Sequence, residues 1–262
     1  MTPPPWLVLH LPHDSTEVPG AVRSQFVLSD AQLARELGRM TDHHTLALFG
    51  ALALPAQIVR APVSRLVVDV ERFAGDDDEP MAGRGIGAVY TTASDLQPLR
   101  RPLSAAQRED LMRNYYWPHH ERFEAAVTAA LEDHGRCLVI DGHSFSANAL
   151  PYERAAPGSE RPDICIGSDA FHTPDAMARA FVREFERARW RVMLNEPFAG
   201  AIVPLSRYRR DKRVTSVMVE VNRRLYLRGP SAQRLPGFTL VGEQVRQCCL
   251  NAIDACGWAG PA

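Results

Sequence analysis

Apolar residues in this chain gather in short blocks separated by polar, helix-like stretches. The blocks are 6–11 (WLVLHL), 57–61 (QIVRA), 65–70 (RLVVDV), 136–141 (RCLVID), 163–167 (DICIG), 190–194 (WRVML) and 215–221 (TSVMVEV). Several are continuous rather than alternating, the pattern of strands covered on both faces. Between them the apolar period lengthens to about 3.6. Ser29 can cap a helix running to about Gly50, with Leu33, Leu37, Met40, Leu46 and Phe49 along one side. Ser104 and Gln107 have capping-box spacing and open a long helix toward Leu131, which Pro118 should kink or split. Thr173 and Pro174 start another, to about Arg189, and a last helix covers roughly 231–256. Strands alternating with helices predict an α/β fold, a mixed, mostly parallel sheet flanked by helices.

Three long irregular segments, 72–103, 144–162 and 195–213, remain. Loops of that length in a compact domain usually carry function. No repeat or linker interrupts the pattern, so a single catalytic domain over 1–262 is the simplest organisation. Composition changes this picture little. The 262 residues are 45% hydrophobic and 23% charged with a formal net charge of −1, which argues against nucleic acid or an anionic membrane as partner and for a small molecule. No apolar run approaches the ~20 residues of a membrane helix. The N-terminus lacks the basic start of a signal peptide, and five cysteines form no ligand-like CxxC pair, so a reducing cytoplasmic setting is expected.

The candidate chemistry sits where blocks end. His13 follows the first strand in "LHLPHDSTEVP", and His143 follows "LVI" in "LVIDGHSF". Ligands of open α/β sheets bind outside the carboxyl ends of strands. Asp42, in "RMTDHHTLALF", could reach the same crevice. Two imidazoles and one carboxylate leave a fourth position open on Zn²⁺, the catalytic arrangement. Asp42 also suits a helix cap, and Glu17, four residues after His13, is the other carboxylate within reach. Adjacent His43 and His44 face different sides of a helix. His10 lies inside the first strand and, like His119 and His120, reads as a packing residue.

Glu220 interrupts the apolar run "TSVMVEV". A buried carboxylate there is costly unless paired, metal-bound or protonated. In a zinc hydrolase such a glutamate moves a proton from the attacking water to the leaving amine; otherwise Glu220 faces solvent or pairs with Arg223. Arg65, Asp69 and Arg72 bracket the block at 65–70. Arg72, at its C-terminal end, could clamp a substrate carboxylate through paired hydrogen bonds, or pair with the acids at 76–79.

Taken together, these segments resemble the N-formylglutamate amidohydrolase family, relatives of zinc carboxypeptidases and aspartoacylases. The family's pattern of Pro-His, Thr-Asp, "SRxVxDxNR", "D-x-HS", "PDxxxG", an "NxxFxGGxI" loop and a strand with glutamate recurs in order. Here it is carried by Pro12-His13, Thr41-Asp42, Ser64 to Arg72, Asp141 to Ser144, Pro162 to Gly167, Asn195 to Ile202 and "MVEVNRRLY" around Glu220. "YYWPHHERF" matches the family's helix with an internal proline. The resemblance spans about residues 6 to 227. It implies a zinc-carboxypeptidase-like fold, with His13, Asp42 and His143 as zinc ligands and Asp141 orienting a ligand histidine. It further implies Glu220 as general acid/base and Arg72, Arg65 and Arg207 on the substrate side. The implied reaction is zinc-dependent hydrolysis of an N-acylated acidic amino acid, N-formylglutamate to formate and glutamate, with a place in histidine breakdown. Two departures stand out: Glu71 replaces the asparagine of "DxNR", and the loop's second glycine is Ala201. Glu71 and the arginines between 207 and 213 favour the alternative of a related metallo-carboxypeptidase or amidase with a larger substrate. A non-enzymatic protein on the same scaffold is the third possibility.

Overall fold

The computed structural model describes residues 3–153, 160–229 and 232–258. Six strands form one sheet: β1 (Leu7–Leu11), β2 (Ile58–Arg60), β3 (Cys137–Phe145), β4 (Ile164–Gly167), β5 (Val192–Leu194) and β6 (Val214–Asn222), in the order β2-β1-β3-β6-β4-β5. β2, β1, β3 and β6 run parallel, while β4 is antiparallel to β6 and parallel to β5. The sheet is therefore mixed and mostly parallel. Every residue of β1, β3, β4 and β6 is buried, as their continuous apolar runs require.

The helices are α1 (Gly20–Arg23), α2 (Asp30–Met40), α3 (Thr45–Phe49), α4 (Ala105–Leu111), α5 (Trp117–His134), α6 (Asp175–Arg187) and α7 (Phe238–Ala255). One sheet face, through Leu9, Ile140 and Val219, packs on α3, α6 and α7. The other, through Val8, Val139 and Val214, packs on Phe123, Val127 and Leu131 of α5. A third apolar cluster joins α2 to residues 61–70 and 86–99.

The main differences from the expected elements have local causes. The block 65–70 is a turn, not a strand: Leu66, Val67, Val68 and Val70 are buried in the third cluster, and Arg100 donates to the Leu66 and Val67 carbonyls. Burial explains an apolar run as well as a sheet does. The helix begun at Ser29, with its capping box, ends at Met40, and His44 in the left-handed region at φ 66° separates it from α3. Pro118 does not split its helix: a π-helical turn at Met112–Tyr116 precedes α5 and leaves Pro118 in its first turn, where the missing N–H is tolerated. Ser231 lies outside the described residues, and the last helix begins at Phe238.

α5 carries His119 and His120 beneath β1. Burial, together with the neighbouring His10, pushes the His120 imidazole down to about 4 and His119 lower still. Both are neutral in the fold, and the unfolded chain takes up their protons below about pH 6.5. Stability is thus present above that pH and is lost as pH falls toward the folded values. In urea unfolding at pH 7 and pH 5, His120→Gln should reduce the acid-induced loss of stability by roughly 1–2 kcal/mol relative to wild type.

Candidate active site

In-register strand partners share a face of the sheet. His10 of β1 pairs with Asp141 of β3, Asp141 with Met218 of β6, and Met218 with Gly167 of β4. One row further toward the carboxyl ends of β3 and β6, His143 pairs with Glu220, and Glu220 with Cys165. Strand alternation alone therefore sets His143 beside Glu220 on the face covered by α5. His13 comes in from the end of β1, and Asp42 from the turn between α2 and α3, whose backbone N–H donates to the His13 carbonyl at 2.8 Å.

The two histidines are held alike. His13 Nε2 lies 2.8 Å from Asp69 Oδ1, and His143 Nε2 lies 3.0 Å from Asp141 Oδ1. Both opposite nitrogens face the same carboxylate: His143 Nδ1 is 3.0 Å and His13 Nδ1 3.8 Å from Asp42 Oδ2. Arg223 Nη2 donates to the other Asp42 oxygen at 3.0 Å. Glu71 approaches the pair as well, 3.1 Å from His143 Nε2 and 3.5 Å from His13 Nδ1. Asp141 is shared, since His10 Nδ1 stands 2.8 Å from the same oxygen and His10 Nε2 is 2.9 Å from His119 Nε2.

Charge follows geometry. Burial works against a charge on Asp42, but the two imidazoles and Arg223 outweigh it and hold its carboxyl well below the usual range. Asp69 behaves likewise, with Arg65 and His13 outweighing burial. Burial also opposes the imidazolium of His143, yet Glu71 and Asp141 keep it well above its ordinary value. Glu220 goes the other way. It is 7% exposed, its Oε2 has no hydrogen-bond partner, and burial pushes its carboxyl up to about 8.

The donor set fits a divalent metal. His13 Nδ1 is buried without a hydrogen-bond partner although it faces two carboxylates. The far nitrogens of both histidines already contact carboxylates, the arrangement that fixes metal-binding imidazoles. Among the described residues, His13, Glu71 and His143 offer ligand atoms within 4.8 Å of one another, and so do His10, Glu71 and Asp141. Nitrogen and carboxylate donors of this kind suit zinc and similar ions.

The structure thus gathers His13, Asp42, His143, Asp141 and Glu220 at one end of the sheet. Glu17 is exposed and does not line the cavity, whereas Glu71 lines it and offers an oxygen within 4.8 Å of ligand atoms of both His13 and His143. His43 and His44 point to the Gly38 and Ala232 carbonyls instead. Arg65 lines the cavity, but it is engaged by Asp69 at 2.8 Å and by the Tyr90 hydroxyl at 3.0 Å. Arg72 also lines the cavity, between Asp69 at 3.7 Å and Glu79 at 3.5 Å. Arg207 does not belong to the site: it pairs with Glu124 and Asp211 and is absent from the cavity wall. Sequence reasoning missed Asp69 as the partner of His13, because its apolar neighbours read as a strand. It also placed His10 in the packing, although His10 joins Asp141 to His119.

Among the described residues no helix is long and apolar enough to cross a membrane. No curated protein sequence gives a significant match. Among solved structures, N-formylglutamate amidohydrolase from Ralstonia eutropha JMP134 shares the fold with a TM-score of 0.80 at 22% identity, over 97% of this chain and 95% of its own. A gene product of Agrobacterium tumefaciens does so with a TM-score of 0.69 at 19% identity, over 96% and 92%. The model of the N-formylglutamate amidohydrolase family matches residues 6–227, a span that contains every residue gathered at the sheet end, and the chain belongs to that family of amidohydrolases.

Proposed function

We propose that this chain is a single-domain, zinc-dependent enzyme that hydrolyses the amide of an N-acylated amino acid, with N-formylglutamate as reference substrate and histidine breakdown in the cytoplasm as setting. The observation that carries this reading is the pair of histidine Nδ1 atoms turned toward Asp42 Oδ2, beside the buried carboxyl of Glu220. His13, His143 and Asp42 would hold the ion, with Glu71 as the competing carboxylate. When bound, the ion supplies Lewis acidity to the scissile carbonyl and to the attacking water. Arg72, loosely held, turns a donor edge to the substrate carboxylate. Glu220 accepts a proton as water adds to the carbonyl carbon. It then delivers that proton to the nitrogen as the C–N bond breaks, releasing formate and the amino acid. Burial raises the Glu220 carboxyl to about 8, and a cation held in the site would favour the carboxylate form that takes the water's proton first.

Metal content and turnover measured on one preparation test the ligand set. His143→Ala should lose bound zinc and activity together. Asp141→Asn should weaken zinc affinity by about 10–100-fold, the usual cost of removing an outer partner. Asp42→Asn should lower affinity more than Glu71→Gln, since Asp42 alone faces both Nδ1 atoms while Arg223 fixes its other oxygen. Full zinc occupancy in the His143 variant would remove that histidine from the set.

Glu220→Gln keeps the shape but cannot carry a proton. It should bind zinc normally and lose kcat by at least about 10²-fold; near-wild-type turnover would remove Glu220 from the mechanism. Arg72→Ala should raise KM for a free-carboxylate substrate far more than for its uncharged amide, by about 2 kcal/mol given its partial exposure. Arg207→Ala, outside the cavity, should leave both constants unchanged.

A further inference from the structure

Arg161 is a buried cation that the fold leaves unsatisfied. It is 5% exposed and lines the same cavity as Glu220 and Arg72, a space of about 860 Å³. Its Nε, Nη1 and Nη2 are all buried without a hydrogen-bond partner, which holds for no other arginine among the described residues. A guanidinium carries N–H donors on all three nitrogens, and leaving them unmatched away from water is costly. On the same wall Arg65 donates to Asp69 and Tyr90, and Arg223 to Ser144 and Asp42.

What holds Arg161 is aromatic packing. Its guanidinium carbon lies 4.9 Å from the ring centre of Phe145 and 5.2 Å from that of Phe198. Rings attract the cation without supplying the oxygen acceptors that its N–H groups need. Glu153 balances the charge, with Oε2 2.7 Å from Nη2, but at an angle that makes no hydrogen bond. The other Glu153 oxygen accepts from the Leu150 N–H at 3.1 Å. Glu160, next to Arg161 in the chain, pairs with Arg191 instead. The backbone around this arrangement is tied down. Asn222 donates from its side chain to the Pro162 carbonyl at 2.8 Å and from its N–H to the Asp163 carbonyl at 2.9 Å. The Cys165 thiol donates to the Phe198 carbonyl at 3.2 Å.

Strand register sets the distance from this cation to the chemistry. Phe145 pairs with Asn222, two residues beyond the His143–Glu220 pair and on the same face of β3 as His143. At about 3.3 Å per residue, the offset is about 7 Å. In extended N-formylglutamate the chain of bonds from the formyl carbon to the side-chain carboxylate carbon spans about 6 Å. A substrate whose formyl carbon sits beside Glu220 therefore brings its side-chain carboxylate level with the ring that carries Arg161.

We infer that Arg161 receives the side-chain carboxylate of an N-acylated acidic amino acid through charge-assisted hydrogen bonds, and that it makes the site prefer a dicarboxylic substrate. Arg72 then serves the other carboxylate. This rests on the amidohydrolase reading above, and the bond broken is the same C–N bond.

The test compares N-formylglutamate with N-formylglutamine, which differ only at the side-chain terminus, on the zinc-loaded full chain. Wild type should show a kcat/KM at least about tenfold higher for N-formylglutamate, the scale of one hydrogen bond to a charged group. Arg161→Gln should lower kcat/KM for N-formylglutamate at least about tenfold more than for N-formylglutamine, chiefly through KM. Arg161→Lys keeps the charge without the planar fork and should fall between the two. Equal losses on both compounds, the result of an arginine that only supports the fold, would overturn the inference. So would a wild-type chain that turns over the two equally, a comparison that needs no variant to fold. Either result leaves the amidohydrolase reading intact. Should neither compound be cleaved, titration calorimetry on wild type and Arg161→Gln decides. Tighter binding of N-formylglutamate that the variant loses supports the inference although the hydrolytic reading falls, and equal binding of the two compounds overturns both.

Discussion

Pairing of β3 with β6 sets everything else in this molecule. His143 stands opposite Glu220 only because nine residues of each strand run in one parallel register. A slip of one residue would turn either side chain to the face packed on α3 and α7. The same register puts Asp141 level with Met218, and β1 adds His10 to that row. The places of Asp141, His143 and Glu220 are thus a property of strand alternation.

Burying so many ionisable groups at one sheet end is possible because nearly every charge has a partner. Asp69 lies between His13 and Arg65, Asp42 between His143 and Arg223, and Asp141 between His10 and His143. Removing one partner would leave the other buried and uncompensated, which costs more than the pair contributes. Glu220 is the exception. Its Oε2 has no hydrogen-bond partner, and burial raises its carboxyl above the usual range.

The irregular lobe has a different logic. Residues 61–103 and 195–213 carry few ladder bonds, yet their backbone groups are tied to buried side chains such as Arg100 and Ser216. Apolar burial holds residues 61–99 against α2 and packs Ile202, Val203 and Tyr208 with the cluster of α5, leaving a wide cavity between charged and apolar walls.

By itself the sequence determined the strand blocks, the capping boxes at Ser29 and Ser104, and the motif order that ties the chain to its family. It also marked His13, Asp42, His143 and Glu220, because a polar residue at the end of an apolar run, or inside one, is costly without a task. What it could not carry is anything that depends on which segments meet. An apolar run is equally at home in a strand or a buried turn, so the block around Asp69 was misplaced and its pairing with His13 was hidden. An arginine looks alike whether it lines a cavity or a surface, so Arg207 was brought to a site it never reaches. Partner choice, cavity size and the pull of burial on Glu220 arise from distances between residues far apart in the chain, and only tertiary packing sets those.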